Sequence, residues 1–281
     1  MLEIKIKNHK NETLSLTGNP SYTLYAVEGL DPSTANINTA TNATMDGSTF
    51  RSAKINQKNI VLYLAVEEPC EANRIALYGY VKPKQAATLY IKTGARDVYI
   101  EGYVESIQIG FFEQKETVQI SIICPSPFFK MAQASEVEIS TIESGFEFPF
   151  SIPEEGIPFS EIMGETEKYI INTGDIETGA LITLYATADG ANPMLYLPYN
   201  NTFFALDFDF YAGDTITINT VKGQKSVTLI RDGEKSNIIN TLRAGSSWLQ
   251  FESGQNLVGY SAIPASSISC DISIDGLYEG V

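Results

Sequence analysis

The second half of this 281-residue chain is a series of short runs in which apolar and polar residues alternate. Runs such as "GALITLYATA", "DTITINTV" and "SWLQF" have the period of two that is typical of β-strands with one buried face. Turn pairs such as Gly174-Asp175 and Asp189-Gly190 stand between many of the runs. About eight or nine strands at this spacing predict a β-sandwich or jelly roll.

The first half predicts β-strands with one helix. "LEIKIK" alternates as a half-buried strand does, and "KNIVLYLAVE" is a strongly apolar strand. The helix is expected in "PCEANRIALYGYV", because Pro69 suits the first helical turn and nearby glutamates suit the positive end of the helix dipole. The Lys82-Pro83 pair ends it. The whole chain is therefore expected to be mainly β.

The charge is distributed unevenly along the chain. Residues 1–133 hold 13 Lys and Arg against 13 Asp and Glu, whereas residues 134–281 hold 6 against 21. This break predicts two domains, 1–133 and 134–281.

Specific nucleic-acid binding is not expected, because phosphate contacts need clustered Lys and Arg. No run approaches the roughly 20 apolar residues of a membrane span, so membrane insertion is not expected.

The stretch "IICPSPFFK", residues 122–130, coincides with the charge break. Cys124 ends an apolar strand, and Pro125 and Pro127 cannot donate the backbone hydrogen bonds that would continue it. Phe128 and Phe129 would then bury aromatic area at the end of the first domain. We interpret these five residues as the domain boundary.

Catalytic candidates are few. His9 is the one histidine, and its position after the first strand favours an exposed polar residue. Cys124 follows "VQISII", which favours a buried thiol rather than a nucleophile beside a base. Asp207 and Asp209 lie on one face of a strand, where glycosidase chemistry would need two carboxylates facing across a cleft. No catalytic residue is expected.

Cofactor and metal sites lack a sequence signal. Together with Asp207 and Asp209, Asp214 could supply oxygen ligands to calcium, although the spacing fits no calcium loop. The cysteines Cys70, Cys124 and Cys270 are far apart, which predicts neither a disulfide framework nor a zinc site. No phosphate-binding glycine motif is present, so no cofactor is expected.

Three further features also give predictions. The polar segment from Thr34 to Ser52 predicts a long loop or arm that a neighbouring subunit could order. Residues 143–165, rich in Pro, Gly, Glu and Phe, predict an irregular connection between the domains. Five aromatic residues of the second half could form a sugar platform or pack in the core: Tyr196, Tyr199, Phe203, Trp248 and Tyr260.

The order of four stretches resembles the distal tail protein (Dit) family of long, non-contractile phage tails, of the type infecting Gram-positive hosts. They are the Gly29-to-Pro32 turn with its polar loop, the helix and strand "EANRIALYGYVKPKQAATLYI", the Cys124 stretch, and "YIINTGDIETGALITLYA" with "WLQFESGQNLVGYSA". The resemblance implies a ring-forming N-terminal β domain with one helix and a C-terminal galectin-like or carbohydrate-module-like sandwich.

The resemblance also implies a role. Family members form a hexameric ring that joins the tail tube protein to tail-tip or baseplate proteins, and some hold receptor-binding proteins. The expected location is the tip of the phage tail in the virion, assembled in the host cytoplasm, and no enzymatic activity is expected. Two alternatives stay open: a host-surface protein that binds cell-wall carbohydrate, and a hydrolase acting on cell-wall glycan.

Overall fold

The structure is a computed structural model that describes residues 2–41, 43–44, 46–110, 116–132, 135–138, 143–144, 160–161 and 167–281. Contacts separate the chain into unit 1, residues 1–132 with 277–281, and unit 2, residues 133–276. The domains 1–133 and 134–281 stay a prediction, since the two units rest on contacts alone. Most of the predicted connection 143–165 lies outside the described residues.

Unit 1 contains eleven strands and one helix within its described residues. They are β1 (Glu3–Asn8), β2 (Thr13–Ser15), β3 (Tyr22–Glu28), β4 (Ala35–Ala40), β5 (Thr49–Ile55), β6 (Lys58–Val66), α1 (Cys70–Tyr80), β7 (Ala86–Lys92), β8 (Asp97–Gly110), β9 (Thr117–Cys124), β10 (Phe129–Met131) and β24 (Leu277–Tyr278).

One antiparallel sheet holds nine of these strands, in the order β2-β1-β7-β8-β9-β6-β3, with β10 pairing β8 and β24. The alternation in β1 buries Ile4 and Ile6 and exposes Glu3 and Lys5, as the period of two predicts. Strand β6 is apolar nearly throughout, and helix α1 contacts it. The helix lies where the sequence predicts it, with Leu77 fully buried.

Unit 2 contains thirteen strands within its described residues. They are β11 (Ser135–Glu138), β12 (Glu143–Ser144), β13 (Ser160–Glu161), β14 (Glu167–Asn172), β15 (Leu181–Ala186), β16 (Gly190–Leu197), β17 (Thr202–Ala205), β18 (Asp209–Phe210), β19 (Thr215–Asn219), β20 (Ser226–Arg231), β21 (Glu234–Asn237), β22 (Gly254–Ile263) and β23 (Ile268–Ile274).

Two antiparallel sheets of unit 2 share one core. The six-stranded sheet runs β11-β23-β15-β19-β20-β21, and the five-stranded sheet runs β14-β22-β16-β17 with β18 beside β16. Inward residues of both sheets, such as Ile182 from one and Leu195 from the other, belong to a single buried cluster. This is the arrangement of a β-sandwich. The predicted mainly β fold class is confirmed, since the described residues form many antiparallel strands and one α-helix.

One predicted strand is wrong. "SWLQF", residues 247–251, forms no strand, and only Phe251 makes an isolated bridge, to Thr178. Leu249 and Phe251 are nevertheless buried in the core. The alternation therefore reflects burial of an irregular segment that has no neighbouring strand to pair with along its length.

Candidate functional site

The predicted boundary stretch lies within unit 1, just before the chain leaves it. Cys124 is the buried last residue of β9, and Pro125 is exposed in the turn that follows. Pro127 and Phe128 are half-buried, and Phe129 is fully buried as the first residue of β10. The stretch therefore turns the chain from one strand of the unit 1 sheet into the next, and its role as a domain boundary stays a prediction.

Residues 277–281 also belong to unit 1, and we call them the C-terminal clasp. Within it, β24 pairs with β10, and Tyr278 is buried in the unit 1 core. The amide of Val281 donates to the carbonyl of Leu30 at 3.1 Å. The segment thus adds a strand, a buried ring and a backbone hydrogen bond to a sheet that begins about 270 residues earlier in the sequence.

Two cations hold the clasp. The buried Nζ of Lys58 donates to the carbonyl oxygens of Asp31 at 2.6 Å and Glu279 at 3.1 Å, and lies 4.7 Å from the centre of the Phe129 ring. Burial lowers the pKa of Lys58, and the nearby Cys124, Asp31 and Glu279 act in the opposite direction. Arg96 donates to the carbonyl of Gly280 and stacks on the Tyr278 ring at 4.7 Å.

The thiol of Cys124 lacks the properties of a nucleophile. Burial raises the pKa of Cys124 to about 11, and the charge of Lys58 only partly opposes this. The thiolate is the reactive form, so a pKa in this range leaves the group protonated and inert at neutral pH.

We expect the Cys124→Ser variant to fold and to have the same molar mass in solution as the native protein. A hydroxyl in this apolar site costs about 1–3 kcal/mol, so the free energy of unfolding falls by that amount. Denaturant unfolding and light scattering measure the two quantities. Cys270→Ser, at the buried thiol of unit 2, is the matched control. A smaller particle from a folded Cys124→Ser protein would contradict the interpretation and assign the thiol a special role.

The other catalytic candidates are not brought together. His9 is exposed in the turn after β1, beside an open cavity of about 550 Å³ that Lys7 and Tyr90 also line. Asp207 forms an ion pair with Arg243 at 2.6 Å, and Asp209 is exposed. Glycoside hydrolysis needs two carboxylates that face each other across a cleft, whereas Asp207 is paired with an arginine.

Asp214 has a structural partner. It is 3% exposed, and it accepts hydrogen bonds from Arg231, the shortest 2.5 Å, and from the amide of Tyr211. The bond from Arg231 lowers the pKa of Asp214. Within the described chain, no group of three or more His, Cys, Asp or Glu could hold a metal ion. The calcium hypothesis for Asp207, Asp209 and Asp214 therefore gains no support.

The five candidate aromatic residues occupy different environments. Tyr260 is buried in the unit 2 core, and Trp248 packs on the buried Phe204 at 5.2 Å. Tyr199 is exposed in the turn after β16, and its hydroxyl lies 3.3 Å from the carbonyl oxygen of Gln250. Tyr196 and Phe203 face each other on the outer face of the five-stranded sheet. The predicted platform is thus divided between core and surface.

The predicted loop 34–52 is a hairpin, which we call the arm. Among the strands that the structure describes, β4 and β5 pair only with each other, and a bulge interrupts their register after Asn38. Ile37 and Phe50 are 60% and 62% exposed. Phe50 pairs with Thr39, two residues from Ile37, so both apolar side chains lie on one face of the arm.

Comparison with known proteins bears on the second unit first. Residues 173–274 match the family model SPP1_Dit, described as the siphovirus-type tail component, C-terminal domain. The expected resemblance to distal tail proteins is thereby confirmed. No curated protein matches the chain by sequence.

Solved structures extend the similarity to the whole fold. The crystal structure of phage SPP1 Dit (gp 19.1), described as a paradigm of the hub adsorption apparatus in Gram-positive infecting phages, matches with a TM-score of 0.71 at 12% identity. The match covers 98% of each chain. A chain of the phage p2 baseplate, in its activated conformation with Sr, matches with a TM-score of 0.50 at 13% identity over 98% of each chain. At these identities, the matches show a shared fold.

Sequence reasoning missed the clasp and the two cations that hold it. Lys58 opens an apolar strand and has the pattern of an exposed strand end, and Arg96 lies in a polar turn. Leu277 and Tyr278 are apolar enough to indicate burial, but many short runs in this chain are equally apolar, so the sequence does not single them out. Within the described residues, no helix has the length and apolar content needed to cross a membrane.

Proposed function

We propose that this protein is a structural component of a phage tail tip, a distal tail protein that forms a hexameric ring. The ring joins the tail tube protein to the tail-tip or baseplate proteins. The observation that carries the proposal is the family match over residues 173–274, supported by a fold shared with SPP1 Dit over 98% of both chains. Its place is the distal end of the tail in the virion.

A structural role agrees with the chemistry of the side chains. The protonated Cys124 thiol and the arginine-paired Asp207 and Asp214 offer neither a nucleophile nor a general acid. Unit 1 supplies the ring in this proposal, and unit 2 faces outward. Receptor-binding proteins and host cell-wall carbohydrate are the two classes of outward partner that we consider for unit 2.

Native mass spectrometry and negative-stain imaging of the purified chain test the ring. Six-subunit rings are the expected result. A strict monomer, both alone and in the presence of tail tube protein, would overturn the proposal.

The arm is expected to be an inter-subunit contact. The double variant Ile37→Asp, Phe50→Asp places two charges where a neighbouring subunit would bury apolar area. The loss of one large buried side chain at an interface weakens association by roughly 1.5–3 kcal/mol, which is about tenfold or more in the dissociation constant. Sedimentation velocity over a range of protein concentrations measures the effect.

The matched control for this variant is Ser52→Asp. Ser52 pairs with Asn38, on the face of the arm opposite to Ile37, and is also exposed. It adds one negative charge, half of that in the double variant, to the opposite face of the same hairpin, so we expect it to leave assembly unchanged. If the double variant assembles with the concentration dependence of the native chain, the arm makes no inter-subunit contact.

A further inference from the structure

The outer face of the five-stranded sheet of unit 2 carries apolar and aromatic side chains. One row across four strands follows from the register: Glu167 opposite Gly259, Gly259 opposite Tyr196, and Tyr196 opposite Phe203. The next row holds Tyr169 opposite Leu257. On the outer face of the other sheet, the threonines Thr183, Thr217 and Thr228 form a row across three strands.

Tyr196 lies flat across the neighbouring strand, because Gly259 has no side chain. A Cβ added at Gly259 would be 2.2 Å from Cζ of Tyr196 and 2.5 Å from its hydroxyl oxygen, which places the ring directly over the glycine. The hydroxyl of Tyr196 donates to Oε1 of Glu167 at 3.0 Å. The ring is therefore fixed at both ends, with one face on the sheet and the residue half-exposed.

The same geometry leaves hydrogen-bonding capacity beside the ring. Glu167 is exposed, and among the described residues its second oxygen has no hydrogen-bond partner. Tyr169 projects from the same strand two residues further on, about 7 Å away, and is 58% exposed. A flat ring, a carboxylate at its edge and a second exposed ring thus form one continuous surface.

These groups favour a sugar over an apolar protein partner. A protein that covered this face would bury the Glu167 carboxylate, and a buried charge without a matching donor is costly. A pyranose brings its own donors, because its hydroxyl groups can bond to the carboxylate while its C–H face lies on the tyrosine ring. Aromatic residues with a polar end suit such mixed surfaces.

We propose that Tyr196, Glu167 and Tyr169 form a carbohydrate-binding platform. Its ligand is a β-1,4-linked glucopyranose or N-acetylglucosamine chain, in which equatorial substituents leave the ring faces apolar. One sugar ring stacks on Tyr196, polar groups at the edge of that ring donate to Glu167, and a neighbouring sugar reaches Tyr169. The inference rests on the proposed function only for the place of sugar binding, which would be the tail tip if unit 2 carries the platform there.

Saturation-transfer NMR and calorimetry on the full chain test the platform, with cellotetraose and the N-acetylglucosamine tetramer as probes. Irradiation of the aromatic protons is expected to transfer saturation to the ring C–H protons of at least one tetrasaccharide. Tyr196→Ala is expected to weaken binding at least tenfold and Glu167→Gln about threefold to tenfold. Gly259→Ala removes no polar group but lifts the Tyr196 ring, and is expected to act as Tyr196→Ala does.

Tyr185→Ala is the matched control, because Tyr185 is an exposed tyrosine on the outward face of the other sheet. It is expected to bind as the native chain does. Absence of saturation transfer to both probes, or equal loss of binding in Tyr185→Ala, would overturn the platform. Imaging Tyr196→Ala for rings separates the two proposals, because ring formation without sugar binding leaves the structural role intact.

Discussion

A chain that ends at Gly276 is expected to lose the stable fold of unit 1 and to keep that of unit 2. The missing residues are the C-terminal clasp, which contributes the buried Tyr278 ring and the β24–β10 pairing. Loss of a buried aromatic side chain alone costs about 3–5 kcal/mol, a large share of the roughly 5–15 kcal/mol that stabilises a domain. Lys58 would also keep only one of its two carbonyl partners.

The chain offers a separate probe for each unit. Trp248 is the one tryptophan of the sequence and belongs to unit 2, so its fluorescence reports the unfolding of that unit alone. Hydrogen exchange of peptides from β8 and β10 reports unit 1. The truncated chain is expected to show an unchanged tryptophan transition and a loss of amide protection in both strands.

A chain that ends at Tyr278 is the graded control for this truncation. It keeps the ring and the strand pairing but lacks the carbonyls of Glu279 and Gly280 and the amide of Val281. Protection between that of the native chain and that of the shorter truncation is expected. If the chain ending at Gly276 protects β8 and β10 as well as the native chain does, the clasp does not stabilise unit 1.

Local patterns in the sequence predict the strands well because strand alternation is itself local. In β15 and β19 the buried residues are the alternate apolar ones, which the sequence of each strand shows by itself. The helix likewise follows from Pro69 and its acidic neighbours. "SWLQF" has the same alternation but forms no strand. An alternating pattern indicates which side chains are buried, but it does not indicate whether a partner strand is present.

The strand pairing within the arm and the position of the clasp could not be predicted, for two different physical reasons. The arm forms a hairpin through backbone pairing of mostly small or polar residues, and its large apolar residues Ile37 and Phe50 do not form a regular alternation, so the usual apolar signal is missing. The clasp depends on contacts across the whole chain: Lys58 and Glu279 are 221 residues apart. Similarly, the ring of Tyr196 can lie flat only because Gly259 has no side chain. From the sequence alone, Gly259 is simply a glycine within a strand, and its contact with Tyr196 is not visible.

Gly29→Ala is expected to destabilise unit 1 by more than about 3 kcal/mol. Gly29 follows β3 with φ +86°, and an added Cβ would be 2.1 Å from the carbonyl oxygen of Asn59. The left-handed conformation costs a residue with a side chain roughly 1–2 kcal/mol, and overpacking against a backbone atom typically adds 1–3 kcal/mol or more. The carbonyl belongs to β6, a central strand, so it has little freedom to move away.

Gly18→Ala separates the two contributions. Gly18 also has a positive φ, +67°, but an added Cβ there meets no atom within 4 Å. It is therefore expected to cost about 1 kcal/mol from backbone strain alone. Hydrogen exchange in β3 and β6 measures both variants, with Trp248 fluorescence as the internal reference for unit 2.

The turn after Gly29 also positions the carbonyls of Leu30 and Asp31, which bind Val281 and Lys58. Gly29→Ala should accordingly reduce amide protection in β10, which pairs with the clasp, whereas Gly18→Ala should not. Equal effects of the two substitutions would show that the close approach to Asn59 contributes nothing to the stability of unit 1.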